Sequence, residues 1–272
     1  MSTQTLERAI GLLRILATAG AEGSRLVDLQ QATGLTKPTV HRILDSLKNE
    51  EFVEQVQESR RYRLGKELAV LGWSAGRTVY DLKELANEDM AAVAAKTGDT
   101  SYLAIRSGHE TVCIDRQTGS YQVKAFTVEV GTRRPLGIGA TGIALLASLE
   151  QEQAEKLLEA IAGQLALFPN ASTRQIREAV AVARRNGYAL SDGLMLKGVR
   201  GVAVTIRDGE GRAFAAIGTA AISDRMPAKR LPEILRILKM HASSIAQRVA
   251  AAENQARYGS TRVVKADARG RN

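Results

Sequence analysis

The chain has 272 residues, 44% hydrophobic and 25% charged, enough for two domains with separate cores. Its net charge of +9 and isoelectric point near 9.8 favour an anionic partner, but Met1 to Gly65 carries nine basic and eight acidic residues, so placement says more than bulk charge. The single cysteine, Cys113, excludes an intramolecular disulfide and a cysteine-rich metal site, and reads as a small buried hydrophobe; with no membrane-length apolar stretch and no signal-peptide pattern, a cytoplasmic protein is expected.

Thr5 to Ala19 predicts a first helix with Leu6, Ala9, Ile10, Leu13 and Leu16 on its core face. A short helix over Arg25 to Thr33 ends at Gly34, which can take the left-handed conformation of a sharp turn. In Thr36 to Asn49, Val40, Ile43, Leu44 and Leu47 fall at i, i+3, i+4 and i+7, Thr36 suits the N-cap and Pro38 the first turn. Phe52 to Leu64 alternates like a hairpin, with its turn at residues 57–60. Helix, tight turn, helix and basic hairpin is the order of a winged helix-turn-helix.

In that arrangement the N-terminal half of the second helix enters the major groove, which makes Lys37, Thr39, His41 and Arg42 candidate DNA contacts. Arg42 points away from the apolar stripe and can bond guanine O6 and N7 together. Arg60, Arg61 and Arg63 of the wing are candidates for the phosphate backbone or minor groove. The same arginines fit a solvated hairpin edge, and the helix pair also fits a winged helix that binds protein.

Lys66 to Lys96 is helical in composition but interrupted near Gly72, Gly76 and Thr78. It predicts a helix to about Ala75 and another from Asp81 to Lys96, separated by a hinge or a plain corner. Strand-like runs follow at Thr100 to Arg106, Glu110 to Asp115 and Tyr121 to Val130. Helices are expected at Thr141 to Leu149, Gln151 to Ala162 and Ser172 to Asn186, strands at Val199 to Arg207 and Arg212 to Ala220, and a long helix at Pro227 to Glu253. This is an α+β chain with an antiparallel sheet. Its domains are a winged helix-turn-helix over residues 1–65, a helical linker or dimerisation segment over 66–98, and an α/β domain over 99–253. A basic tail follows over 254–272, expected to be disordered after Tyr258.

Gly137 to Gly142 satisfies G-x-G-x-x-G, but Arg133, Arg134 and Pro135 interrupt where a dinucleotide site needs a buried parallel strand. No cofactor is expected. The glycines either permit close helix-on-sheet packing or leave helix N–H groups aimed at a carboxylate. The histidines, His41, His109 and His241, fall in separate elements; the last two read as surface or interface residues. Without metal-ligand spacing or a catalytic constellation, no enzyme is expected.

The layout resembles the IclR family of bacterial transcriptional regulators. The resemblance rests on Leu6-Glu-Arg-Ala-Ile-Gly-Leu-Leu13, Gly34-Leu-Thr-Lys-Pro-Thr-Val-His-Arg-Ile-Leu44 and Arg61-Tyr-Arg-Leu-Gly65. It continues through Asp81-Leu82, Thr97-Gly98, Gly187-Tyr188 and Gly198-Val199. It implies a C-terminal effector-binding domain related to GAF-type folds, and a homodimer or dimer of dimers on a partly palindromic double-stranded operator. It also implies a small carboxylic or aromatic acid effector, in a protein that represses or activates transcription. Effector contacts carry over to Gly139, Ala140, Thr141 and Gly142. Where the family commonly has acidic residues and serines, this chain has Asp192, Leu194 and Met195, then Gly218 and Ala220, with Thr219 turned to the other face. The missing hydroxyls point to a less polar effector, an aromatic or branched acid held at its carboxylate by the Thr141 loop. A ligand-independent architectural or protein-binding winged helix is the alternative.

Overall fold

The computed structural model describes residues 3–19, 22–74, 78–125 and 128–267. The chain divides into two compact units, Met1–Asp81 and Leu82–Asn272. In the first, α1 (Thr3–Thr18), α2 (Leu26–Thr33) and α3 (Lys37–Asn49) bury Leu12, Leu16, Leu29, Val40, Ile43 and Leu44. The hairpin of β1 (Val53–Gln55) and β2 (Tyr62–Leu64) closes that core with Val53 and Tyr62.

The core stripe of α1 is Ala9, Leu12, Leu13 and Leu16, not the one beginning at Leu6; Leu6 and Ile10 are 62% and 40% exposed. Both stripes have helical spacing, and packing against α2 and α3 selects between them. Gly34 ends α2 at φ 67° and donates its N–H to the Gln30 carbonyl at 3.0 Å. Thr36 does not cap α3: its hydroxyl bonds that of Thr39 at 2.8 Å, and Pro38 lacks one of the amides a cap would serve.

The helices α4 (Glu67–Ser74) and α5 (Thr78–Thr97) flank the expected break, which itself lies outside the described residues. Leu82, Ala86, Met90 and Val93 of α5 are built into the core of the second unit. That unit is a six-stranded antiparallel sheet in the order β5-β4-β3-β8-β7-β6. Its strands are β3 (Thr100–Ser107), β4 (Glu110–Gln117), β5 (Arg133–Pro135), β6 (Ala189–Asp192), β7 (Val199–Arg207) and β8 (Ala213–Ile222). On one face, Leu103, Val202, Val204, Ile206, Ala215 and Ile217 pack with α5 and α9 (Leu231–Asp267). On the other, Ala203 and Ala216 pack with α6 (Gly139–Ala147), α7 (Gln151–Ile161) and α8 (Thr173–Asn186). Burial on both faces makes β8 a continuous apolar run.

Several elements differ from the sequence expectation. The described residues of 121–130 form no strand; the Tyr121 N–H bonds the Gly98 carbonyl and the Ala125 carbonyl accepts from the Tyr102 hydroxyl. The edge strand comes later, at β5. The four residues of β6 are too few for alternation to reveal. The last helix continues to Asp267, past Tyr258, through a stretch in which Gly259 is the one strong helix breaker. His241 is buried: its Nδ1 lies 2.6 Å from Asp89 Oδ1 and its Nε2 3.2 Å from Lys96 Nζ, joining α9 to α5.

Candidate functional site

Each unit presents one candidate site. In the first, the outer face of α3 exposes Lys37, His41, Arg42, Ser46 and Asn49, while Thr39 is half-buried. Asp45 sits between His41 (Nδ1 to Oδ2, 2.8 Å) and Lys48 (Nζ to Oδ1, 3.2 Å), which offsets the one acid on this face. The Arg42 carbonyl accepts from the Ser46 hydroxyl at 3.0 Å, but its side chain makes no hydrogen bond or ion pair among the described residues, so its guanidinium is available outward.

The three wing arginines have different surroundings. Arg60 is exposed at the hairpin turn with φ 56°, its backbone bonded to Val56 and Gln55. Arg63 is ion-paired with Glu54, its cross-strand neighbour. Arg61 turns inward: its Nη1 donates to the Gly23 carbonyl at 2.9 Å, beside the bridge in which Ser24 and Tyr62 exchange backbone bonds at 2.8 Å. Arg60 is therefore the wing cation best placed to meet phosphate, and Arg61 braces the wing against the α1–α2 corner.

In the second unit, a cavity lies between the sheet and the N-terminus of α6, with about 660 Å³ of space including its mouth. Of the residues expected there, Gly139, Ala140, Thr141, Met195, Gly218 and Ala220 line it. Three do not. Gly142 is packed within α6, where a Cβ would come 3.0 Å from the Gly137 nitrogen and the Thr111 hydroxyl. Asp192 faces Arg200 across β6–β7 at 2.5 Å, and Leu194 is buried in the core packed around α6 and α8. Thr219, expected on the other face, is also among the residues lining the cavity, though its hydroxyl donates to the Thr100 carbonyl at 3.0 Å.

Sequence reasoning missed the polar part of the wall: Tyr102, Thr111, Arg134 and Ser191. They come from β3, β4, β5 and β6, and only the sheet register brings them together. Alternation along β5 would send one of its two adjacent arginines inward, but Arg133, Arg134 and Pro135 read as an interruption rather than a strand. Cys113 also lines the cavity, its thiol pKa pushed up to about 12 by burial and, secondarily, by the Asp115 charge. Burial likewise lowers the pKa of Arg134, with Tyr102 and Cys113 acting in the opposite sense.

The sheet is antiparallel throughout, so the Gly137 to Gly142 loop follows an antiparallel edge strand and lacks the parallel strand of a dinucleotide fold. Among the described residues no cluster of His, Cys, Asp or Glu could hold a metal ion, and no helix is long and apolar enough to cross a membrane.

Residues 77–247 match the family described as "Bacterial transcriptional regulator IclR C-terminal", and residues 5–57 match the "IclR helix-turn-helix domain". The chain is 30% identical over 226 residues to the HTH-type transcriptional regulator XynR of Escherichia coli K12, covering 82% of this chain and 88% of XynR. It is 28% identical over 235 residues to the transcriptional repressor IclR of the same organism, covering 85% and 84%. Among solved structures, an IclR transcriptional regulator from Silicibacter sp. TM1040 superposes with a TM-score of 0.73 at 25% identity, over 90% of this chain and 96% of that one. An IclR homolog from Microbacterium hydrocarbonoxydans complexed with 4-hydroxybenzoate has the same fold, with a TM-score of 0.70 at 23% identity over 91% and 99%.

Proposed function

The chain belongs to the IclR family of bacterial transcriptional regulators, and we propose that it binds a specific operator through α3 and the wing, with a small carboxylic acid in the second-unit cavity modulating that binding. The family consists of transcriptional regulators rather than enzymes. One observation carries the reading: a helix-turn-helix with an exposed, basic N-terminal half of α3 shares a chain with a cavity at a helix N-terminus.

On the DNA side, Arg42 reads a base edge, while Lys37, Thr39, His41, Arg60 and Arg63 position the backbone. On the ligand side, Gly139, Ala140 and Thr141 present the first turn of α6, and Met195, Gly218 and Ala220 form apolar wall. The 4-hydroxybenzoate bound by the Microbacterium protein supports an aromatic acid as the ligand class. Exposed Leu6 and Ile10 on α1, with Val70 and Leu71 on α4, support self-association as a homodimer or dimer of dimers on a partly palindromic site. An effector shifts DNA affinity by its differential affinity for two states, typically by about 1–3 kcal/mol.

The test is binding of the purified protein to fragments spanning its own upstream region, at several salt concentrations, with random DNA as competitor and with or without aromatic acids. A discrete site that survives competition and responds to an acid is expected. Binding that collapses under competitor at every fragment and salt concentration, with no ligand response, would favour an architectural protein. A compact oxyacid such as glyoxylate or pyruvate as the tightest ligand would overturn the aromatic or branched acid.

A further inference from the structure

The outer face of α3 carries one acid among its cations, and the acid is tied to a histidine. Asp45 Oδ2 lies 2.8 Å from His41 Nδ1, one turn earlier, and its Oδ1 lies 3.2 Å from Lys48 Nζ. A carboxylate only accepts, so His41 Nδ1 carries a proton and donates it. That bond fixes the ring, and its Nε2, without a partner among the described residues, is the nitrogen left to meet a ligand. The His41 side chain is 54% exposed and lines a shallow hollow along α3 with Lys37, Arg42, Asp45, Ser46 and Asn49. Among the described residues none from α1, α2 or the hairpin lines that hollow, so Lys37, Arg42 and Asp45 are the charged groups that share it with His41. On the neighbouring elements, Arg25 is paired with Asp28 and Glu54 with Arg63.

The two protonation states of this ring make different surfaces. Neutral, with Nδ1–H engaged by Asp45, the imidazole presents a lone pair at Nε2 beside a carboxylate that Lys48 alone offsets. Phosphate oxygens are acceptors too, so neither group bonds them and the carboxylate repels them. Protonated, the ring presents an Nε2–H donor with a positive charge and neutralises Asp45 as well. Resting on the reading of α3 as the DNA-contacting helix, we propose that DNA binding takes up a proton at His41, and that Asp45 is a positioning residue holding the imidazolium with Nε2–H toward a phosphate. Both anions then favour the charged ring, Asp45 through one nitrogen and the phosphate through the other. Lys37, Arg42 and Lys48 oppose it, and phosphates that pair with these cations weaken the opposition. Because the complex holds one proton more than its separate parts, affinity rises as pH falls. It is lost as pH rises through the interval, about 5–8, in which an imidazole changes charge.

Phosphate contacts are independent of sequence, so a short random-sequence duplex at constant low salt serves as the probe, with affinity of the full chain read by anisotropy. From pH 6 to pH 8 wild-type affinity is expected to fall at least about five-fold. His41→Gln should be flat to within about two-fold, which separates His41 from His109, His241 and the terminal amine. Asp45→Asn keeps an acceptor for Nδ1–H but removes the charge, so its fall should also shrink to within about two-fold. At pH 8 that variant should bind at least as tightly as wild type, because an anion has left the face. Asp45→Glu, still within reach one turn away, should keep most of the wild-type profile. A pH dependence that persists in His41→Gln, or one that Asp45→Asn leaves intact, overturns the proposal. A flat wild-type profile also overturns it and points to a neutral His41 accepting from a base amino group. If the double change Lys37→Ala with Arg42→Ala leaves DNA affinity unchanged, α3 does not face DNA, and the reading of the helix fails first.

Discussion

Arg60→Ala and Arg61→Ala, adjacent changes of identical charge, should have opposite consequences. The Arg61 guanidinium donates to the Gly23 carbonyl at 2.9 Å and is half-buried, so its loss removes a charged hydrogen bond at the wing corner. Such bonds contribute about 1.5–3 kcal/mol when enclosed, and partial exposure reduces this to about 1–2 kcal/mol. In a unit spanning Met1–Asp81, each kcal/mol is worth roughly 4–8 °C in melting temperature. The corner has little slack, since a Cβ on Gly23 would come within 2.4 Å of the Tyr62 carbonyl oxygen. Arg60 is exposed at the turn, so its removal should leave melting unchanged and remove one phosphate contact. The slope of log affinity against log salt would then fall by about 0.9. Thermal melting and anisotropy titrations across salt concentrations measure both quantities. An Arg61→Ala protein that melts like wild type but loses about one unit of salt slope would refute the brace, showing that Arg61 leaves Gly23 for phosphate.

Arg42→Ala should cost about 1–3 kcal/mol on operator DNA while relaxing preference at one base position; equal losses on operator and random DNA would remove it from base reading. Cys113 should resist alkylation in the native state. At pH 8 a thiol at its ordinary 9.0 is about one-tenth ionised and one pushed to about 12 only about one part in ten thousand, so iodoacetamide should react roughly a thousand-fold slower than with an unperturbed thiol. A native rate close to that of the unfolded chain would contradict the buried, neutral thiol. Asp89→Ala should destabilise the second unit by roughly 2–4 kcal/mol, by stripping His241 (2.6 Å), Ser244 (3.2 Å) and the part-exposed Arg248 (3.6 Å) of a shared carboxylate. A loss below about 1 kcal/mol in denaturant unfolding would mean that these groups find other partners.

The helix-turn-helix was legible because its signals are local. Gly34, Pro38 and the stripe from Val40 to Leu47 each act within a few residues, and α3 adopts the expected span. The phase of α1 was not, since Leu6 and Ile10 are as apolar as Leu12 and Leu16 and only α2 and α3 distinguish them. The edge strand β5 was hidden by its composition. Two arginines and a proline read as an interruption, yet Pro135 is tolerated at a sheet edge and one arginine pairs outward with Glu110. Misreading that segment concealed Arg134, and with it the cation in the cavity. Burial of His241 was invisible for a related reason: its partners Asp89 and Lys96 lie on α5, far away in sequence.

The glycine loop before α6 shows how one motif can carry two physical demands. Gly137 has φ 100°, and a Cβ there would press within 2.7 Å of Ile176 on α8. A Cβ on Gly142 would press at 3.0 Å on the Gly137 backbone and on Thr111. These two glycines let α6 settle against its neighbours. Gly139, at φ 77°, faces Met195 across ordinary contact distance in the cavity, and it alone of the three is part of the wall. The spacing of a dinucleotide fingerprint therefore arises here from two packing requirements and one open helix start. An alanine at Gly139 would strain the backbone without filling the cavity, whereas one at Gly142 would disturb the packing of α6 and perturb the site only as a consequence.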